Sequence, residues 1–172
     1  MDMNVAANQY LRALWQGHVI DGGFAWLDRL APIAQDLSME SLRRIDELLD
    51  EIRATEAPTA ESFWDRQDRQ TFLMGLTFYI GSTIARQLGT KAQWFDYKTF
   101  MATRPHMRAG WSYSLETSVV CVLETVNAAT PDGYPRLTRN VFPMIAVVNR
   151  LYETPVQKSV YDVALSFASS YA

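Results

Sequence analysis

Up to about residue 90 the apolar positions recur at a helical period, and beyond it they bunch into short runs. Tyr10, Leu11, Leu14 and Trp15 form one stripe of a first helix from Val5 to Gln16. Asp21-Gly22-Gly23 interrupts it, and Phe24 to Asp36 resume a helical character that Pro32 kinks or splits. Ser38 is placed to cap the most regular helix of the chain, which runs to Ala54. Leu42, Ile45, Leu48, Leu49 and Ile52 make its apolar face. Glu40, Arg43, Asp46, Glu47, Asp50 and Glu51 cover the other sides. Thr55-Glu56-Ala57-Pro58 reads as a linker and Thr59 as the next cap. From Phe72 to Leu88 apolar residues nearly encircle the helix, which predicts a segment at the centre of the fold, stopped by Gly89.

The later segments read differently. Gln93 to Tyr97 is aromatic enough for a strand, and Val119-Val120-Cys121-Val122-Leu123 is a β-branched run that suits a buried strand. Pro131-Asp132-Gly133 marks a turn, after which Tyr134 to Val141 returns antiparallel. Thr154-Pro155-Val156-Gln157 has the order of a capping box, and Val160, Val163, Ala164, Phe167 and Ala168 behind it keep the helical period. The fold class expected is α+β: one helix-dominated domain over 1–172, helical through residue 90. A small antiparallel sheet of two to four strands and closing helices follow.

Composition narrows the function classes. At 172 residues, with 48% hydrophobic and 20% charged content, the chain can bury a sizeable core without a staple. Its one cysteine, Cys121, excludes an internal disulfide, and His18 and His106 are too few for a structural zinc site. The net charge of −3 gives no general pull toward nucleic acid or an anionic membrane. The longest apolar stretch, Phe72 to Ala85, is broken by Gly, Thr and Ser and falls short of a membrane span. No signal peptide opens the chain, so a cytoplasmic location is expected.

Catalytic motifs are missing from the sequence. There is no Gly-x-Ser-x-Gly elbow, Asp21-Gly22-Gly23 fits neither a P-loop nor a dinucleotide fingerprint, and Cys121 lies in an apolar run that favours an inert thiol. No cofactor and no metal are expected. Gly81 and Ala85, one turn apart, share a face on which small residues let a neighbouring backbone approach closely, a packing role favoured over ligand binding.

The charges are unevenly spread: residues 1–90 hold 13 acids against 8 bases, and residues 91–172 hold 6 against 8. Asp46, Glu47, Asp50 and Glu51 form two like-charge pairs at i,i+4, toward the helix end where the dipole disfavours anions. A solvated outer face explains such a cluster, and so does a basic partner surface. Trp64, next to the charged run Asp65 to Arg69, is the tryptophan expected to be partly exposed at such a contact.

Two stretches carry a resemblance. Phe72 to Arg86, with Leu88-Gly89 and Trp94, resembles a Gly-bearing apolar helix of small bacterial proteins. Asn140-Val141-Phe142-Pro143, leading to Val148-Asn149-Arg150-Leu151-Tyr152, resembles a later stretch of the same group. In size and solubility such proteins are similar to the immunity proteins that neutralise toxins. The missing catalytic motifs, the acidic helix and this resemblance together lead to the expectation of a non-enzymatic bacterial protein-binding protein, an immunity protein that blocks a toxin by direct contact. The charge pattern makes Asp46, Glu47, Asp50 and Glu51, with Trp64, the residues expected to meet a basic surface on it. The alternatives are a small enzyme whose site assembles from His106, Glu116 and Asp96, and a homodimeric structural subunit.

Overall fold

A computed structural model describes residues 2–103, 118–124, 138–152 and 159–169. Helix α1 (Met3–Gln16) starts at Asp2, whose carboxylate accepts from Asn4 N at 2.8 Å, and closes at Gly17 in the left-handed region. Its stripe is partly as expected: Leu11 and Leu14 are buried, Tyr10 is half-buried, and Trp15 is exposed. Phe24 to Asp36 does not form the expected helix. Only the single turn α2 (Leu27–Leu30) is helical: Trp26 at φ 51° precedes it, it stops just ahead of Pro32, the expected break, and the turns that follow reach Leu37 at φ 50°. An apolar content that suits a helix is there spent on turns wrapped over the core.

Helix α3 (Met39–Glu56) begins where expected, with Ser38 Oγ accepting from Ser41 N at 3.0 Å. Thr59 caps α4 (Ala60–Trp64) in a reciprocal box with Ser62. The centre belongs to α5 (Gln67–Gln87), which starts five residues before its apolar run. Three hydroxyls are buried along α5, and each donates to the carbonyl one turn back: Thr71 to Gln67, Thr77 to Leu73 and Thr83 to Tyr79, at 2.7–3.0 Å. That back-bonding lets a polar side chain sit in an apolar centre without an orphaned group. Gly89, at φ 61°, ends the helix: its N–H reaches Arg86 O and the Thr90 N–H reaches Ala85 O. This pair of bonds satisfies two terminal carbonyls.

Strand β1 (Lys91–Asp96) follows, then helix α6 (Tyr97–Thr103), β2 (Val119–Glu124) and β3 (Thr138–Val141). The sheet is antiparallel in the order β1-β2-β3, with Trp94 opposite Cys121 and Cys121 opposite Val141. Trp94, Cys121, Leu123 and Val141 face the main core, while Val120 and Val122 face Phe100 and Met101 of α6. Both faces of β2 are covered, which is why its sequence reads as an unbroken apolar run. Helices α7 (Pro143–Leu151) and α8 (Val160–Ser169) close against α3 and α5. The turn at Pro131-Asp132-Gly133, the first residues of the returning strand and the capping box at Thr154 to Gln157 lie outside the described residues. So do His106 and Glu116.

Gly81 is closely packed, although by side chains rather than by the expected backbone, and Ala85 on the same face borders an open cleft. A Cβ at Gly81 would lie 2.3 Å from Trp94 Cη2 and 3.1 Å from Cys121 Sγ, both immobilised in the core. At Gly75 the obstruction is the far end of the ring of Phe24, which is only half-buried. Gly81→Ala should therefore destabilise by about 1–3 kcal/mol despite its better helix propensity. Gly75→Ala should fall within about 1 kcal/mol of wild type. Urea unfolding of the two variants side by side checks the contrast.

Candidate functional site

The acids of α3 are the first candidates, and the structure separates them. Asp46 is buried rather than solvent-facing: its Oδ1 accepts from Val160 N at 2.8 Å and its Oδ2 from Tyr161 N at 3.0 Å. Ser159 Oγ accepts from Asp162 N at 3.0 Å, so the carboxylate of Asp46 and the hydroxyl of Ser159 together satisfy the opening N–H groups of α8. A carboxylate at a helix N-terminus also gains from the dipole. Burial pushes the Asp46 pKa up, against the pull of these two N–H donors and of Arg150.

Asp50 pairs with Arg150 of α7. Glu51 pairs with Arg29 of α2 at 2.6 Å. Glu47 is exposed. Beyond the four, Glu56 takes the guanidinium of Arg69 at 2.8 Å and the indole N–H of Trp26 at 2.9 Å. The like-charge pairs of the sequence are thus each offset by a group brought in from elsewhere in the chain. The start of α8 buries Asp46 against α3, while Arg29 and Arg150 pair at the surface with Glu51 and Asp50, both of which stay exposed. The expected anionic face keeps little free charge, with Glu40 and Glu47 beside the exposed Arg43 and Arg44.

Trp64 ends α4 half-buried, and its indole N–H is enclosed with no acceptor among the described residues. Trp15 is more exposed, at 39%, although its own indole N–H donates to Ala34 O at 2.8 Å. Asp96, one of the alternative catalytic residues, accepts from Thr99 N at 2.8 Å and from Thr99 Oγ1 at 2.7 Å, bonds that hold its carboxyl below the ordinary range. It serves there as a cap for α6. Cys121 is fully buried between strands, and burial pushes its thiol far up, so it does not offer a thiolate. Among the described residues no three His, Cys, Asp or Glu side chains lie close enough to hold a metal ion. No helix among them is long and apolar enough to cross a membrane.

The outer face of α1 was not singled out by sequence. Val5, Gln9, Arg12 and Gln16 recur at i, i+4, i+7 and i+11 and are exposed, with Trp15 and Val19 alongside. Of the four large apolar side chains exposed among the described residues, three belong here: Val5 at 52%, Trp15 at 39% and Val19 at 95%. Arg12 is the sole charged residue within α1. A cleft of about 470 Å³ opens beside it, walled by Tyr10, Arg12, His18, Val19 and Asp21. The signal was present in the sequence as a helix with one charge in 14 residues, too few to solvate an outer face in the usual way.

Set against models of known protein families, curated proteins and solved structures, the chain matches none of them.

Proposed function

We propose that this chain is a non-enzymatic protein-binding protein that acts by covering its partner, and that it engages the partner through the outer face of α1. The observation that supports this most is the exposure of Val5, Trp15 and Val19 around Arg12, on a helix without an acid. Contact surfaces favour Trp and Arg and are poor in acids, and their energy concentrates where an anchor enters a pocket. The cleft beside Arg12 supplies that pocket. The partner presents an apolar side chain to the cleft and hydrogen-bond acceptors to Arg12, Gln9 and Gln16. The resemblance of Phe72–Arg86 and Asn140–Tyr152 to small bacterial proteins, themselves similar in size and solubility to immunity proteins, directs the choice of partner to a toxin, blocked by direct contact. The burial of Asp46 and the surface pairing of Asp50 with Arg150 and of Glu51 with Arg29 weaken the support for α3 as the contact and for a basic partner surface.

The test is to recover the partner with the wild-type chain, identify it, and titrate the purified pair. Arg12→Glu with Val19→Glu should weaken binding at least about 100-fold, the loss of two central contacts, with an unchanged melting temperature. Glu47→Lys should bind as wild type does. Equal affinity for the α1 double variant would overturn the assignment of the surface. Turnover of a small substrate by the purified chain, unaffected by those substitutions, would overturn the reading itself.

A further inference from the structure

A second cleft lies where α1, the end of α5 and the start of β1 meet. Its origin is local. The chain reverses at Gly89 and enters β1, whose outer edge is fastened to α1 by one side chain: Asn4 Oδ1 accepts from Trp94 N at 2.9 Å and Asn4 Nδ2 donates to Trp94 O at 3.3 Å. Between these fixed elements stand Ala7, Ser82 and Ala85, side chains too small to fill the wedge. The space left is about 580 Å³ and open to solvent, within the range of about 300–1,000 Å³ common for small-molecule sites.

The lining divides by chemistry. Ala7, Leu11, Leu37 and Ala85 make an apolar floor, while Arg86 and Lys91 stand exposed at the rim with Asn8 and Ser82 beside them. No acidic residue lines the cleft among the described residues. Arg86 donates one guanidinium N–H to Asp36 O, which anchors the group and leaves other donors of its planar fork. The carboxylate of Asp36 is occupied elsewhere, accepting from Ser38 N at 3.0 Å. Its charge and the carbonyl end of α5 offset part of the positive potential, so one monovalent anionic head fits better than a highly charged one.

We infer that this cleft binds a small amphipathic carboxylate, its head on Arg86 and Lys91 and its apolar body on Leu11, Leu37 and Ala85. This site is independent of the α1 contact face, since it needs neither Arg12 nor Val19. The probes that test it are phenylbutyrate, its neutral amide phenylbutyramide, and acetate, titrated by calorimetry and by amide NMR on the whole chain. Phenylbutyrate should bind and shift the backbone signals of Asn8, Ser82 and Thr90. The neutral amide should bind about tenfold more weakly or worse for want of the charged hydrogen bonds, and acetate for want of a body. Arg86→Gln with Lys91→Gln, both at exposed positions, should lower phenylbutyrate affinity at least about tenfold while melting as wild type. Ser82→Phe should abolish binding by filling the wedge. Equal binding of the neutral amide, an unaffected double variant, persistent binding to Ser82→Phe, or no binding of phenylbutyrate to the folded wild type would each overturn the inference.

Discussion

Replacing Asp46 by Lys should cost the protein about 3–5 kcal/mol, while the same change at Asp50 should cost no more than about 1 kcal/mol. Both acids lie on the same helix, four residues apart, and both read as surface charges in the sequence. The difference is what they face. Asp46 is 7% exposed and takes two backbone N–H groups of α8; a lysine there would leave both donors unpaired and set a cation against the positive end of the helix and against Arg150. Asp50 is half-exposed, and its pair with Arg150 is screened by solvent. Out of a total stability of about 5–15 kcal/mol, the first loss is large and the second is within ordinary surface variation. Urea unfolding of the two variants measures it, and equal midpoints would show that α8 does not depend on this carboxylate. The acid side of the pH profile gives a second readout. Because burial raises the Asp46 pKa in the folded state, ionisation of this group opposes folding. Its contribution is complete below the ordinary carboxylate pKa and is lost as pH rises through the folded-state value. The stability gap between wild type and Asp46→Asn should therefore narrow across that rise.

Much of the fold was legible because its signals are local. Ser38 before a clean apolar stripe, the encircling apolar residues of α5, Gly89 behind them and the β-branched run of β2 each depend on residues within a turn or two. The failures have equally specific causes. Phe24–Asp36 has the composition of a helix; Pro32 marks the break after α2, but the left-handed Trp26 and Leu37 that bend the rest into turns leave no trace in the sequence period. Helix α7 passed unassigned because its apolar run suits a strand as well as a helix; Pro143 at its first position was the discriminating residue. For the acids of α3, the partners stand 22 residues away at Arg29 and 100 away at Arg150, beyond any local rule. Asp46 alone left a trace. It lies four residues after Leu42 and three before Leu49, on the edge of the apolar stripe where the neighbouring helix comes down.

Leu76→Ala should destabilise by about 3–5 kcal/mol, the upper part of the range for a buried leucine. The magnitude turns on whether the surroundings can relax into the space. Leu76 is fully buried at the middle of α5, a helix packed against α1, α7, α8 and the sheet edge β1. On its own helix it stands one turn from Phe72, Tyr79 and Ile80, all fully buried. Tyr79 is fixed at its far end, where its hydroxyl meets Ser41 Oγ at 2.7 Å and accepts from Leu37 N at 3.0 Å. A ring held at both ends cannot slide to fill a void, so most of the cavity should persist and its cost should add to the lost transfer energy. For a chain of this length that corresponds to a fall in melting temperature of roughly 6–20 °C. Leu165→Ala on α8, where the side chain is 42% exposed, should stay within about 0.5 kcal/mol of wild type. A small shift for Leu76→Ala, matching that of Leu165→Ala, would mean that α5 does not lie at the centre of the core.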